Sequence, residues 1–255
     1  MSDSCSRKDC IEFLGVCVDK VDTSALVDAI TSFALGQEQK TVMYVNADCM
    51  LLSQKTIEYR DALNRAGLVY ADGIGVVLGA RLWGHRLPGR STAADFIYDV
   101  CRKCAVKDVP VFLLGAAEGV AKEAAKRLVQ MVPGLEIAGT HHGYFSSHES
   151  DRIIDMINSS GAKLLVVGFG APKQELWMLE HASRLAPRCL WGVGGLFDFV
   201  SGRTARGPQW LLDNGFEWLC RLAVEPRRLW KRYIPGNALF VLTVLRYRLF
   251  ASRKP

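Results

Sequence analysis

The chain of 255 residues has no run of 18 uncharged apolar residues, so no bilayer-spanning helix is expected of it. Its first ten residues carry Arg7, Lys8 and two aspartates and lack the apolar centre of a secretory signal, which leads to the expectation that the protein stays in the cytosol. Neither G-x-G-x-x-G nor G-x-x-x-x-G-K-[ST] occurs, which argues against an ordinary dinucleotide site and against a P-loop NTPase. No two aspartates are separated by a single residue, so a D-x-D pair for a divalent cation is missing as well. His141-His142 has no partner pattern for a metal, and Cys101-x-x-Cys104 has no second pair at zinc-site spacing. Several of the eight cysteines sit inside apolar strand or helix patterns, where thiols behave as small hydrophobes, and a reducing compartment is expected.

What is there is apolar and periodic. With 49% hydrophobic residues the chain can bury one large core. Short runs rich in Val, Leu and Phe recur at Phe13–Val18, Thr41–Val45, Leu68–Tyr70, Val111–Leu114, Leu135–Ala138, Leu164–Val167 and Leu190–Val193. Amphipathic stretches lie between them: Thr23–Leu35 behind Asp22, Ala93–Val106, Gly119–Val132, Glu149–Ser159 and Pro172–Leu185. The alternation predicts an α/β fold, a parallel-sheet Rossmann-like core with helices on both faces, over residues 1–218. Residues 219–255 are set apart as a basic amphipathic helical appendage. There, nine Lys/Arg face Glu225 alone, a segment charge of +8 in a chain whose total is +6.

In such a sheet ligands bind beyond the carboxyl ends of the strands. The residues following each run are Asn46, Asp72-Gly73, Gly115, Gly168-Phe169-Gly170 and Gly192-Val193-Gly194-Gly195. Glycine turns leading into helices present backbone N–H groups and a partial positive charge, an arrangement suited to a diphosphate. Asp72, beside Gly73, is either a general base for a sugar hydroxyl or the N-cap of the helix that follows. Gly168 through Glu175 gathers donors, an amide and two charges, Lys173 and Gln174 among them. Asp198 adds an acid at the same edge, catalytic or structural, and His142 a polar loop group.

Taken together these motifs resemble the WecG/TagA/CpsF family of glycosyltransferases, glycosyltransferase family 26. The resemblance runs from about Phe13 to Phe240. It rests on Ala71-Asp72-Gly73-Ile74-Gly75, Leu87-Pro88-Gly89-Arg90, Phe112 to Gly115, His141 to Phe145, Gly168 to Glu175, Gly192 to Phe199, and Arg221, Glu225 and Arg228 near the end. It implies an inverting transferase that needs no metal or cofactor. Such an enzyme moves an N-acetylmannosamine-type residue from UDP to a polyprenyl-diphosphate-linked N-acetylglucosamine. Carried over, the general base falls on Asp72, a substrate-binding arginine on Arg90 and an active-site glutamine on Gln174. Arg221, Arg228 and Arg232 would meet the diphosphate. The chain departs from the family pattern at Tyr44, where threonine is common, and at Ala93 and Gly207. Rival readings are a non-catalytic scaffold that binds sugar nucleotides and an NAD-dependent oxidoreductase; the missing dinucleotide fingerprint disfavours the second.

The apolar run Ala238–Leu245 is too short to cross a bilayer, yet Arg, Lys, Tyr and Trp flank it, so an anionic membrane surface is the expected partner of 219–255 rather than nucleic acid. That would hold the protein peripherally on the inner face of the cell membrane. Packing on the core and a homo-oligomer contact are the alternatives.

Overall fold

The computed structural model describes residues 9–213, 215, 217–224 and 226–251, apart from the side chains of 209, 213, 217, 228, 231, 232, 250 and 251. The chain opens with β1 (Cys10–Phe13) and β2 (Val16–Asp19), where the sequence pattern had predicted one strand. Leu14 and Gly15 both take positive φ, 51° and 75°, and so close a two-residue hairpin between Phe13 and Val16. Then follow α1 (Thr23–Leu35), β3 (Lys40–Val45), α2 (Ala47–Lys55), α3 (Ile57–Arg65), β4 (Leu68–Ala71), α4 (Ile74–Leu82) and α5 (Ala93–Val106). The second half contains β5 (Val111–Gly115), α6 (Val120–Met131), β6 (Ile137–His141), α7 (Ser150–Ser159), β7 (Leu164–Gly168), α8 (Lys173–His181), β8 (Cys189–Gly192) and α9 (Leu196–Val200). α10 (Gln209–Asp213), α11 (Glu217–Val224) and α12 (Pro226–Ala251) complete it.

Strands β3 to β8 form one parallel sheet in the order β4-β3-β8-β7-β5-β6. β5, β7 and β8 are buried at every position, as strands covered on both faces must be. α1 packs against α5, while α3 packs against α2 and α8. β3 leads outward to β4, whereas β5 to β8 all lie on its other side. The chain therefore reverses direction across the sheet between β3 and β8, the position at which a ligand crevice opens.

Five further elements depart from the sequence reading. α2 and α3 were missed because Asn46 reads as a strand-end ligand; its Oδ1 in fact caps α2 by accepting from the Cys49 N–H at 3.1 Å. β6 starts two residues later than its apolar run, since Leu135 anchors the preceding turn. Its central Gly139 leaves room for the Phe112 ring, which a Cβ would meet at 2.5 Å. Glu149 belongs to a short 3-10 turn held by a capping box with Ser146, and α7 starts after it. Beyond His181 the eighth helix tightens into a 3-10 turn over Ala182–Arg184.

α12 is one helix with apolar residues on two sides. Leu229, Phe240 and Val244 are buried, and the Phe240 ring meets Phe13 edge-on at 6.4 Å. Trp83 Nε1 donates to the Val244 carbonyl at 3.2 Å, and the Tyr247 hydroxyl donates to Gln54 Oε1 at 2.7 Å. Gly79 permits this seat, because a Cβ there would stand 2.8 Å from Phe13 and 3.3 Å from Phe240. On the opposite side Trp230, Ile234, Ala238, Leu242, Leu245 and Leu249 are exposed at helical spacing.

Candidate active site

Two cavities open above the carboxyl ends of the strands. One, of about 780 Å³, lies over β3, β4, β7 and β8 and is lined by Tyr44, Tyr70, Gly143, Gly168 to Ala171, Lys173, Val193 to Leu196, Asp198 and Arg203. The other, of about 410 Å³, lies between α4 and α12. Ile74, Leu78, Leu82, Phe240, Val241 and Val244 make its walls apolar, and Arg90 and Trp218 line it too. Asn46, Asp48, Asp72, Thr92 and Arg221 line both. The first cavity is polar and broad, the second is greasy, and two carboxylates, Asp48 and Asp72, stand where they meet.

Asp72 is held there by its backbone. Its N–H donates to the Val45 carbonyl at 2.9 Å, and its own carbonyl accepts from Thr92 Oγ1 at 3.3 Å. The N-cap of α4 is Gly73, with no side-chain cap bond, so Asp72 does not serve as that cap. Beneath it the buried Tyr70 phenol accepts from Trp191 Nε1 at 3.3 Å. Burial first, and then the Asp72 carboxylate, raise that phenol well above its ordinary range, so it stays protonated.

Arg221 comes from α11 and crosses the β8 turn. Its guanidinium carbon lies 5.3 Å from the centre of the Phe199 ring, and its buried Nε finds no hydrogen-bond partner among the described residues. Lys173 donates to the Gly143 carbonyl at 3.0 Å, with its ammonium 5.4 and 5.0 Å from the Phe145 and Phe169 rings. Arg203 and Asp48 are cavity residues that sequence reasoning missed. Asp48 hides inside α2, a helix the sequence pattern did not single out, and Arg203 follows a short helix that no periodicity marks.

Several sequence-predicted residues do other work. Gln174 is completely buried and lines neither cavity. Its Oε1 accepts from the N–H of Gly170 at 3.2 Å and of Gly194 at 3.0 Å, so these turns do not offer those donors to a phosphate. Gly115 also stays out of both cavities. At φ 152° it lets β5 stay paired with β7 up to Gly168, where a Cβ would fall 2.5 Å from the Gly168 carbonyl oxygen. His142 lines neither cavity, whereas the neighbouring Gly143 and Tyr144 do. Arg90 reaches the apolar cavity while bound to Thr92 Oγ1, Asp95 Oδ2 and the Leu212 carbonyl. Gly73, Gly168, Gly170, Gly194, Lys173, Asp198 and Arg221 do line a cavity. Arg228 and Arg232 belong to α12, but their side chains lie outside the described residues.

Cys17, Cys49, Cys101, Cys104 and Cys189 are buried thiols and Cys220 is a partly buried one, whereas Cys10 is disulfide-bonded. Cys101 and Cys104 sit on the inner face of α5. Burial pushes both thiols up, Cys104 to about 12, the reverse of what a thiolate ligand needs. Among the described residues no three His, Cys, Asp or Glu cluster to hold a metal ion. No described helix is long and apolar enough to cross a membrane.

The sequence profile of the Glycosyl transferase WecG/TagA/CpsF family matches residues 11–254. The chain belongs to this family. It is therefore a glycosyltransferase of cell-surface polysaccharide synthesis, a class that joins a sugar-nucleotide donor to a lipid-linked acceptor. The two substrates of such an enzyme differ in kind: the donor is polar and anionic, and the acceptor carries a lipid.

One ionisable group behind the site carries a pH signature. Glu175 is fully buried, and desolvation raises its carboxyl from 4.5 to about 7, a shift that the Gln174 hydrogen bond only partly offsets. The folded protein therefore retains a proton that the unfolded chain loses near pH 4.5. Stability contributed by the neutral acid is full below pH 4.5 and falls until pH passes about 7. Glu175→Gln should remove about 3 kcal/mol of stability loss between pH 4.5 and 7.5. Denaturant unfolding of both proteins at pH 5 and pH 8 checks this; parallel pH dependences would refute it.

Proposed function

We propose that the protein is an inverting, metal-independent transferase that takes a hexosamine-type sugar from UDP. It passes the sugar to a hydroxyl of a polyprenyl-diphosphate-linked acceptor at the inner membrane face. The observation carrying this reading is Asp72 on the shared wall of a polar and an apolar cavity. The nucleotide sugar occupies the polar cavity, with Lys173, Arg203 and Arg221 near the diphosphate. The acceptor's prenyl chain enters between α4 and α12, and its diphosphate meets Arg90 and Arg221. Asp72 removes the proton of the attacking hydroxyl, the oxygen adds to the anomeric carbon from the face opposite UDP, and UDP departs against the cations. One displacement inverts the anomeric centre and forms no sugar–enzyme bond. No other cation is required if the arginines and lysine balance the leaving charge.

A panel of radiolabelled UDP-sugars, incubated with a short-chain prenyl-diphosphate N-acetylglucosamine in excess EDTA, tests the reading. Transfer with inverted configuration is expected. Strict dependence on added Mg²⁺ or Mn²⁺, or a retained configuration, would overturn it.

The outer stripe of α12 supports the membrane part of this reading. Leu242 is 63% and Leu249 69% exposed, beside Arg246 and Arg248. Apolar area of this kind gains free energy in the headgroup region, and each nearby cation adds about 1 kcal/mol on an anionic leaflet. The pair Leu242→Glu and Leu249→Glu should weaken binding to phosphatidylserine vesicles by at least about tenfold, with the thermal midpoint kept. Unchanged vesicle partitioning would assign that face to something other than lipid.

A further inference from the structure

Behind the polar cavity lies a buried pair that the transfer chemistry does not use. Gln174 Nε2 donates to Glu175 Oε1 at 2.7 Å, and Glu175 Oε2 has no partner among the described residues. Both side chains are fully shielded from solvent. On its other side the same amide holds Gly170 and Gly194 through one oxygen. These glycines come from separate turns, after β7 and after β8, and both line the polar cavity. Gly192 makes the space, because a Cβ there would lie 3.0 Å from Gln174 Nε2.

An amide can point either way in such a place, and only one orientation serves. With the oxygen toward two N–H groups, the NH₂ must find an acceptor on the far side. Glu175 is that acceptor. Without it the amide faces a choice between an unsatisfied buried donor and a shifted side chain, and a shift releases one or both turns.

We infer that Glu175 is a positioning residue for the donor cavity: it orients Gln174, and through it ties the β7 and β8 turns together at the spacing the nucleotide sugar requires. This rests on the placement of the UDP-sugar in the polar cavity, and it goes further by naming a group that never touches the substrate.

The test uses the full chain and two readouts. Glu175→Leu removes the acceptor. The amides of Gly170 and Gly194 should then exchange with solvent at least about tenfold faster, and the KM for UDP-sugar should rise about tenfold, while kcat and the acceptor KM change less than about threefold. Because that variant leaves a buried NH₂ unpaired and could fail to fold, a polarity swap provides the second arm. Gln174→Glu alone sets two carboxyl groups against each other and should loosen both turns. Adding Glu175→Gln supplies an NH₂ that donates to the introduced carboxylate, and donor KM and glycine exchange should both return toward wild type.

A double variant no better than Gln174→Glu alone, or glycine exchange unmoved in Glu175→Leu, would overturn the inference. So would equal rises in donor and acceptor KM, the pattern of general destabilisation. Exchange that responds and recovers as described, in a protein whose wild type transfers nothing from UDP, would support the positioning role and sink the donor reading instead.

Discussion

Gln174→Ala should lower the thermal midpoint by roughly 8 to 15 °C, the largest stability effect expected of any polar side chain near the site. One amide satisfies two backbone N–H groups and one buried carboxyl, at 3.2, 3.0 and 2.7 Å. Each buried group left without a partner costs about 1 to 3 kcal/mol, and the three share one side chain. A loss of about 3 to 5 kcal/mol is large against the roughly 5 to 15 kcal/mol that holds a typical domain together. Replacement by methyl also leaves a void behind Gly192 that packed neighbours fill poorly. Calorimetry reads the midpoint; a shift under about 2 °C would mean water takes over the amide's role.

Asp72→Asn should cut kcat by about a thousandfold, within the range removal of a general base produces, and leave the KM for UDP-sugar within about threefold. The exchange keeps size and hydrogen-bonding reach but deletes basicity. The backbone that aims the residue is untouched, because the Val45 carbonyl and Thr92 hydroxyl contacts use main-chain atoms of Asp72. Donor affinity should survive because the cationic groups of the polar cavity, Lys173, Arg203 and Arg221, come from other elements. A variant with both constants near wild type would remove Asp72 from the proton transfer. A variant that loses nucleotide binding as well would make the residue a binding group.

Much of this architecture is written locally in the chain. Val111–Gly115 and Leu164–Gly168 are continuous apolar runs because both faces of the sheet are covered, and the glycines that end them mark where the ligand side begins. Asp72 was legible for the same reason, as an acid at a strand end. The roles of its neighbours were not, since burial is a property of the assembled fold. Gln174 stands in a strand-to-helix turn among donors and charges, and the family resemblance implies that it is an active-site group. Only the assembled chain turns its amide inward onto Gly194, twenty residues away. The hairpin at Leu14-Gly15 interrupts an apolar run without any polar residue to announce it. The two apolar stripes of α12 blur its helical pattern, so the side that packs against Phe13 could not be separated from the side that faces outward.

The proposed reaction turns on Asp72, at the junction of the two cavities, receiving the acceptor's proton. A crystal of Asp72→Asn grown with a UDP-sugar and a short-chain lipid-diphosphate acceptor measures it directly. The side chain at position 72 should lie within about 3.2 Å of the acceptor hydroxyl, which in turn faces the anomeric carbon, with nucleotide in the polar cavity and prenyl chain between α4 and α12. An acceptor hydroxyl aimed at Asp48 or Asp198 instead, or both substrates lodged in one cavity, would contradict it.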